Sequence, residues 1–105
     1  VVLSRGLGDV YKRQQQAGEC SPTATTSLQI EEVLLGRGGY TLESGDKSQT
    51  AKDTGYEICI GALTGSNNFE IRAMQTNGQG GVKPVAQSCI ITLNRSGVSN
   101  ESDNC

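Results

Sequence analysis

The sequence predicts an α+β fold: a small antiparallel β-sheet of three to four strands with a short helix before it. Three observations carry this expectation. Tyr56–Ala62 and Asn68–Met74 each alternate apolar and polar positions, and only Leu63-Thr64-Gly65-Ser66-Asn67 separates them, as in an antiparallel hairpin. Cys89–Leu93 is apolar at nearly every position, which suits a strand buried on both faces or central in the sheet. Ile30, Val33 and Leu34 recur at the three-four spacing of one helix face, with the helix formers Glu31 and Glu32 among them.

At 105 residues the chain is one domain at most. Aromatic residues make up 4% of it and glycines number 14, so its core is small and aliphatic, and crosslinks would help such a domain. The net charge of -2 comes without any dense basic run or aromatic-basic interleaving, which argues against nucleic acid as a general partner. No stretch approaches the roughly 20 apolar residues of a membrane span. The first residues lack the basic-then-apolar pattern of a secretory signal.

The four cysteines, Cys20, Cys59, Cys89 and Cys105, are not spaced as Cys-x-x-Cys, and the chain has no His. That favours disulfides over zinc, with three connectivities open, and places the protein in an oxidising compartment.

Taken in order, Val1–Gln14 differs in composition from the rest of the chain. It resembles an adapter-derived run found at the ends of conceptual translations, so residues 1–14 are expected to be a non-native lead-in. The remaining residues, 15–105, form the expected domain, itself a fragment of a longer chain. Gln15–Thr26 is polar and reads as loop. Ser27–Leu35 reads as the helix, capped by Ser27, with Glu31 in its first turn and Gly36 ending it, in preference to a strand with Leu28 and Ile30 on one face. Gly36-Arg37-Gly38-Gly39 is a flexible joint, because it lacks the Gly-Lys-Ser/Thr end of a phosphate loop. Tyr40–Leu42 suits a short strand, and Glu43–Thr54 an exposed loop. In the hairpin, Tyr56, Ile58, Ile60 and Ala62 share one face, and Glu57, Cys59 and Gly61 the other. Gln75–Gln87, rich in Gly, reads as a long flexible connection. After Leu93 the chain turns at Asn94-Arg95-Ser96-Gly97, resumes at Val98 and ends in polar residues before Cys105.

No catalytic constellation emerges. Without His, no Ser-His-Asp or Cys-His site can form within the chain. Glu31 and Glu32 diverge on a helix, and Glu57 and Glu70 fall on the expected solvent face of the hairpin. All four therefore read as solvated, with Glu57, Glu70 and Arg72 as candidates for cross-strand pairs of about 0.2–1 kcal/mol each. Asn94-Arg95-Ser96 and Asn100-Glu101-Ser102 match the glycosylation acceptor pattern, a short pattern that Asn/Ser-rich turns produce by chance.

The run Cys89-Ile90-Ile91-Thr92-Leu93-Asn94-Arg95-Ser96-Gly97-Val98, with Cys105 beyond it, resembles the disulfide-closed C-terminal region of type IV pilins and pilin-like minor pilins. Tyr56–Ile60 and Phe69–Ala73 stand where such proteins place two earlier strands. The resemblance covers Gly55 to Cys105, about half of the chain. Ile90 departs from it, standing where the family often has Gly, and the family's apolar N-terminal helix is missing.

The resemblance implies a pilin-like C-terminal globular domain and a bond between Cys89 and Cys105, leaving Cys20 to Cys59. A tie at Cys105 also suits the polar run Ser99–Asn104, which has nothing to bury. It implies a non-enzymatic structural subunit of a bacterial surface filament, without cofactor or metal, serving adhesion, motility or DNA uptake. The partners would be other pilin subunits, and the membrane contact would run through the missing helix, so the fragment itself is expected to be a monomer. One alternative is a periplasmic pseudopilin of type II secretion, with Glu101 and Asp103 as possible calcium ligands. Another is a secreted disulfide-containing binding domain. Such a domain would normally expose aromatics, and this chain offers Tyr11, Tyr40, Tyr56 and Phe69 and no Trp.

Overall fold

In a computed structural model of the chain, the residues described are 20–36, 42–43, 45–62 and 68–105. The expected lead-in 1–14, most of the glycine joint, Tyr40 and the turn at 63–67 lie outside them.

Helix α1 spans Ala24–Leu35. It begins three residues before the expected Ser27 cap, because Thr23 and Thr26 form a reciprocal capping box. The Thr23 hydroxyl accepts from Thr26 N at 3.2 Å, and Thr26 Oγ1 accepts from Thr23 N at 2.8 Å. The early start places Glu31 in mid-helix rather than in the first turn. Gly36 ends α1 with φ 67°, a left-handed conformation that suits glycine.

Helix α2, Gln49–Thr54, replaces the C-terminal part of the expected loop Glu43–Thr54. Ser48 caps it, accepting from Ala51 N at 3.0 Å, and Gly55 closes it at φ 80°. Leu42, the described end of the expected Tyr40–Leu42 strand, is not in a strand.

The strands are β1 (Tyr56–Ala62), β2 (Phe69–Gln75), β3 (Ile90–Asn94) and β4 (Ser99–Glu101). They form an antiparallel meander in the order β1-β2-β3-β4. The register Ile60↔Ile71↔Leu93 and Ile58↔Ala73↔Ile91 aligns the apolar positions on one face. There Ile30, Val33 and Leu34 of α1 pack against Ile58, Ile60, Phe69 and Ile71. The core is small and mainly aliphatic, as the low aromatic content called for, with Phe69 as its aromatic member. β3 is internal, as one reading of its apolar run allowed, although Leu93 at its far end is exposed.

The free edge of β1 is met by α1. Ser27, fully buried, accepts from Ile58 N at 2.7 Å and donates to Ile58 O at 3.2 Å, and Thr26 Oγ1 donates to the same carbonyl at 3.1 Å. Two helix hydroxyls thus take the place of a neighbouring strand at Ile58.

The opposite face of β1 is also covered. Glu57 and Cys59 are both 0% exposed, so the expected solvated face is instead buried. Cys59 lies there bonded to Cys20. The connection after β2 is ordered rather than flexible. Thr76 bridges Val82, Lys83 N donates to Gln75 O at 2.9 Å, and Asn77 Oδ1 accepts from Gln79 N at 2.8 Å and Gly81 N at 3.3 Å. Gly80 is required within it. A Cβ there would stand 2.3 Å from Asp46 O, and its φ is 78°.

Candidate functional site: the disulfide-closed C-terminal loop

The cysteines pair as Cys20–Cys59 and Cys89–Cys105, with Cα separations of 6.1 and 4.5 Å. These are the pairs that the resemblance implied. The second bond spans 16 residues and joins the buried head of β3 to the exposed Cys105. Closing a loop of that size removes about 3 kcal/mol of chain entropy from the unfolded state.

Hydrogen bonds hold the closed segment as well. Ser102 N donates to Ile90 O at 2.9 Å, while Ser102 Oγ accepts from Ile90 N at 2.9 Å and donates to Ser88 O at 3.1 Å. Asn104 Nδ2 donates to Ala86 O at 3.1 Å and to Ser88 O at 3.3 Å. Segment 102–104 therefore continues past β4 along the outer side of β3, attached by polar groups where burial offers nothing. Ser88, fully buried, organises the inner side, its hydroxyl accepting from Gln75 N at 3.1 Å.

The hairpin tip is built by Asn94. Its N donates to Val98 O at 3.1 Å, its Oδ1 accepts from Val98 N at 3.0 Å, and its carbonyl accepts from Gly97 N at 3.0 Å. Gly97 sits at φ 83°. Arg95 through Glu101 are all exposed, including the apolar Val98 at 52%. A rigid, exposed tip of polar side chains and one valine, held on an ordered base, can make surface contacts. It has no enclosed cavity and no converging acid-base pair. The Asn94 side-chain oxygen accepts within the turn, and at Asn100 the pattern's Ser102 hydroxyl is engaged by Ile90 and Ser88. Glu101 and Asp103 are both exposed. Among the described residues no group of three or more His, Cys, Asp or Glu side chains is placed to hold a metal ion.

A second polar cluster is marked in the sequence only indirectly. Glu31 from α1, 2% exposed, accepts from Thr50 N in the first turn of α2 through Oε1. Glu57 from β1 accepts from Ser48 Oγ at 2.5 Å through Oε1, while its Oε2 is buried with no hydrogen-bond partner. Burial pushes the Glu57 carboxyl above its ordinary value. The Ser48 hydrogen bond opposes this, and the Glu31 charge adds to it. The two carboxylates fix the start of α2 rather than face a substrate, since neither reaches solvent. The register sets Met74 opposite Glu57 and Arg72 opposite Cys59. The signal for this cluster was Cys59: its bond to Cys20 requires covering chain on the face it shares with Glu57.

No protein-family model matches the chain, and neither a curated protein nor a solved structure matches it. Among the described residues no helix is long and apolar enough to cross a membrane. The two disulfides point to an oxidising or extracellular compartment.

Proposed function

We propose that this domain is the globular part of a type IV pilin-like subunit, a non-catalytic building block of a bacterial surface filament. The observation that carries the reading is the C-terminal closure. A disulfide runs from the head of β3 to a point beyond β4, around a four-stranded antiparallel meander with a helix before it. It supports the reading because the sequence run that resembles the pilin C-terminus, Cys89–Val98 with Cys105, is the part that forms this closure. In this reading the exposed tip Arg95–Glu101 faces outward and makes the adhesive or inter-filament contacts, and subunits join through a helix encoded upstream.

Sequencing the coding DNA upstream of Gln15 tests the proposal. The expected result is an apolar helix that begins after a Gly cleavage site, with Phe first and Glu fifth in the mature chain. An ordinary cleavable secretory signal in that place removes the filament reading and leaves a secreted domain.

A further inference from the structure

A cleft of about 480 Å³ opens on the sheet face that carries the Cys20–Cys59 bond, away from both the C-terminal tip and the α1 core. Its volume falls within the range of small-molecule sites. Two cations line it, Arg72 from β2 and Lys83 from the ordered connection, and no carboxylate does. The chain as a whole carries a net charge of -2, so this is a local reversal of sign. Among the described residues Lys83 makes no ion pair. The walls are otherwise largely apolar: Met74 is buried at the floor, Val82 is half-buried, and Val85 stands 63% exposed at the rim.

The geometry points to a binding site for a small organic acid, a carboxylate head with an aliphatic body. The carboxylate meets Arg72 and Lys83 in charge-assisted hydrogen bonds, and the body covers Met74, Val82 and Val85. A phosphate fits the site less well, since a strongly hydrated dianion would lose its water against apolar walls for only two cations. A neutral ligand leaves the Lys83 ammonium without a counter-charge in the cleft. Nucleic acid is disfavoured because the cleft has no aromatic ring on which a base can stack. This inference does not rest on the filament reading and survives its failure.

The test is titration of the full, oxidised chain with hexanoate at pH 7, tracked by backbone amide chemical shifts. Hexanamide serves as the neutral isostere and acetate as the head without a body. Hexanoate is expected to shift the amides of residues 72–74, 82, 83 and 85 saturably, with a dissociation constant on the order of millimolar for a ligand of this size. Hexanamide binds about tenfold or more weakly, because it lacks the charge that strengthens the hydrogen bonds. Acetate gives no saturable shift. K83Q, at a half-exposed position, weakens hexanoate about three- to tenfold, and V85D, at the rim, weakens it through like charge, with the remaining spectrum unchanged in both. Three results overturn the assignment: no saturable shift with hexanoate, equal shifts with hexanamide, or unchanged affinity in both variants.

Discussion

The two disulfides divide the molecule into regions held by different physics. Around Cys20–Cys59 four polar side chains are buried: Ser27 meets the edge of β1, Ser48 and Glu57 meet out of solvent, and Glu31 grips the start of α2. Around Cys89–Cys105 the base is buried at Ser88 and Cys89, but the segment it closes is exposed from Arg95 through Glu101. In the first region the covalent bond reinforces a packed junction. In the second it replaces packing, and its hydrogen bonds must compete with water. The same crosslink chemistry therefore serves stability in one region and shape in the other, which leaves the C-terminal tip free to vary its surface without disturbing the core.

Breaking the buried bond should have the largest effect. Cys20 and Cys59 are 39 residues apart, and removing that link costs about 4 kcal/mol in the chain-entropy model. A Cys20→Ser, Cys59→Ala variant should show a fall in Tm and loss of cooperative unfolding by calorimetry. A Tm unchanged within error would mean that the bond adds nothing to the junction. Opening the exposed bond in Cys89→Ala, Cys105→Ser should cost about 3 kcal/mol. Its structural effect should stay local: amides of 98–105 exchange faster while α1 and β1 keep their protection. Loss of protection at Ile58 in this variant would erase the distinction between the two regions.

A smaller effect separates hydrogen bonding from packing at the first region. Ser27→Ala leaves Ile58 N without its acceptor at a helix-covered strand edge, which should cost about 1–3 kcal/mol in denaturant unfolding. Ser102→Ala, at the half-exposed second region, should cost less, about 1 kcal/mol, because water can replace the lost bonds to Ile90 and Ser88.

The strands were legible because alternation and register agree: the apolar positions of 56–62 and 69–75 stand opposite one another. Helix α1 was legible in its body and missed at its start, since Thr23-x-x-Thr26 is a less familiar capping pair than one ending in Glu or Gln. Helix α2, Gln-Thr-Ala-Lys-Asp-Thr, was invisible because it has no apolar periodicity. It exists through a Ser48 cap and a carboxylate from Glu31, 19 residues away. Glu57 was placed in solvent because alternation assigns residues to a face but does not say what covers that face. The clasp segment 102–104 was seen as in need of a tie, while the hydrogen bonds of Ser102 and Asn104 were not, because single-residue contacts across 12 to 18 positions leave no pattern.

The subtlest prediction concerns pH. The Glu57 carboxyl is raised by burial, so the folded chain binds its proton more tightly than the unfolded chain does. This contribution is fully present below the ordinary glutamate range and is lost as pH rises through the folded value. Glu57→Gln removes the titration. The stability difference between wild type and variant should therefore shift in favour of the variant as pH rises from about 4 toward neutrality, measured by urea unfolding across that range. A difference that stays constant with pH would show that Glu57 titrates alike in both states.

The contrast between a buried and an exposed crosslink is tested most directly by timed partial reduction, with alkylation of freed thiols and non-reducing peptide mapping. Cys59 is 0% exposed and Cys20 5%, whereas Cys105 lies at the surface. The expected order is that Cys89 and Cys105 are labelled together first, while a peptide linking Cys20 to Cys59 persists. Labelling of Cys20 and Cys59 first, or a native peptide linking Cys59 to Cys89, would contradict the account.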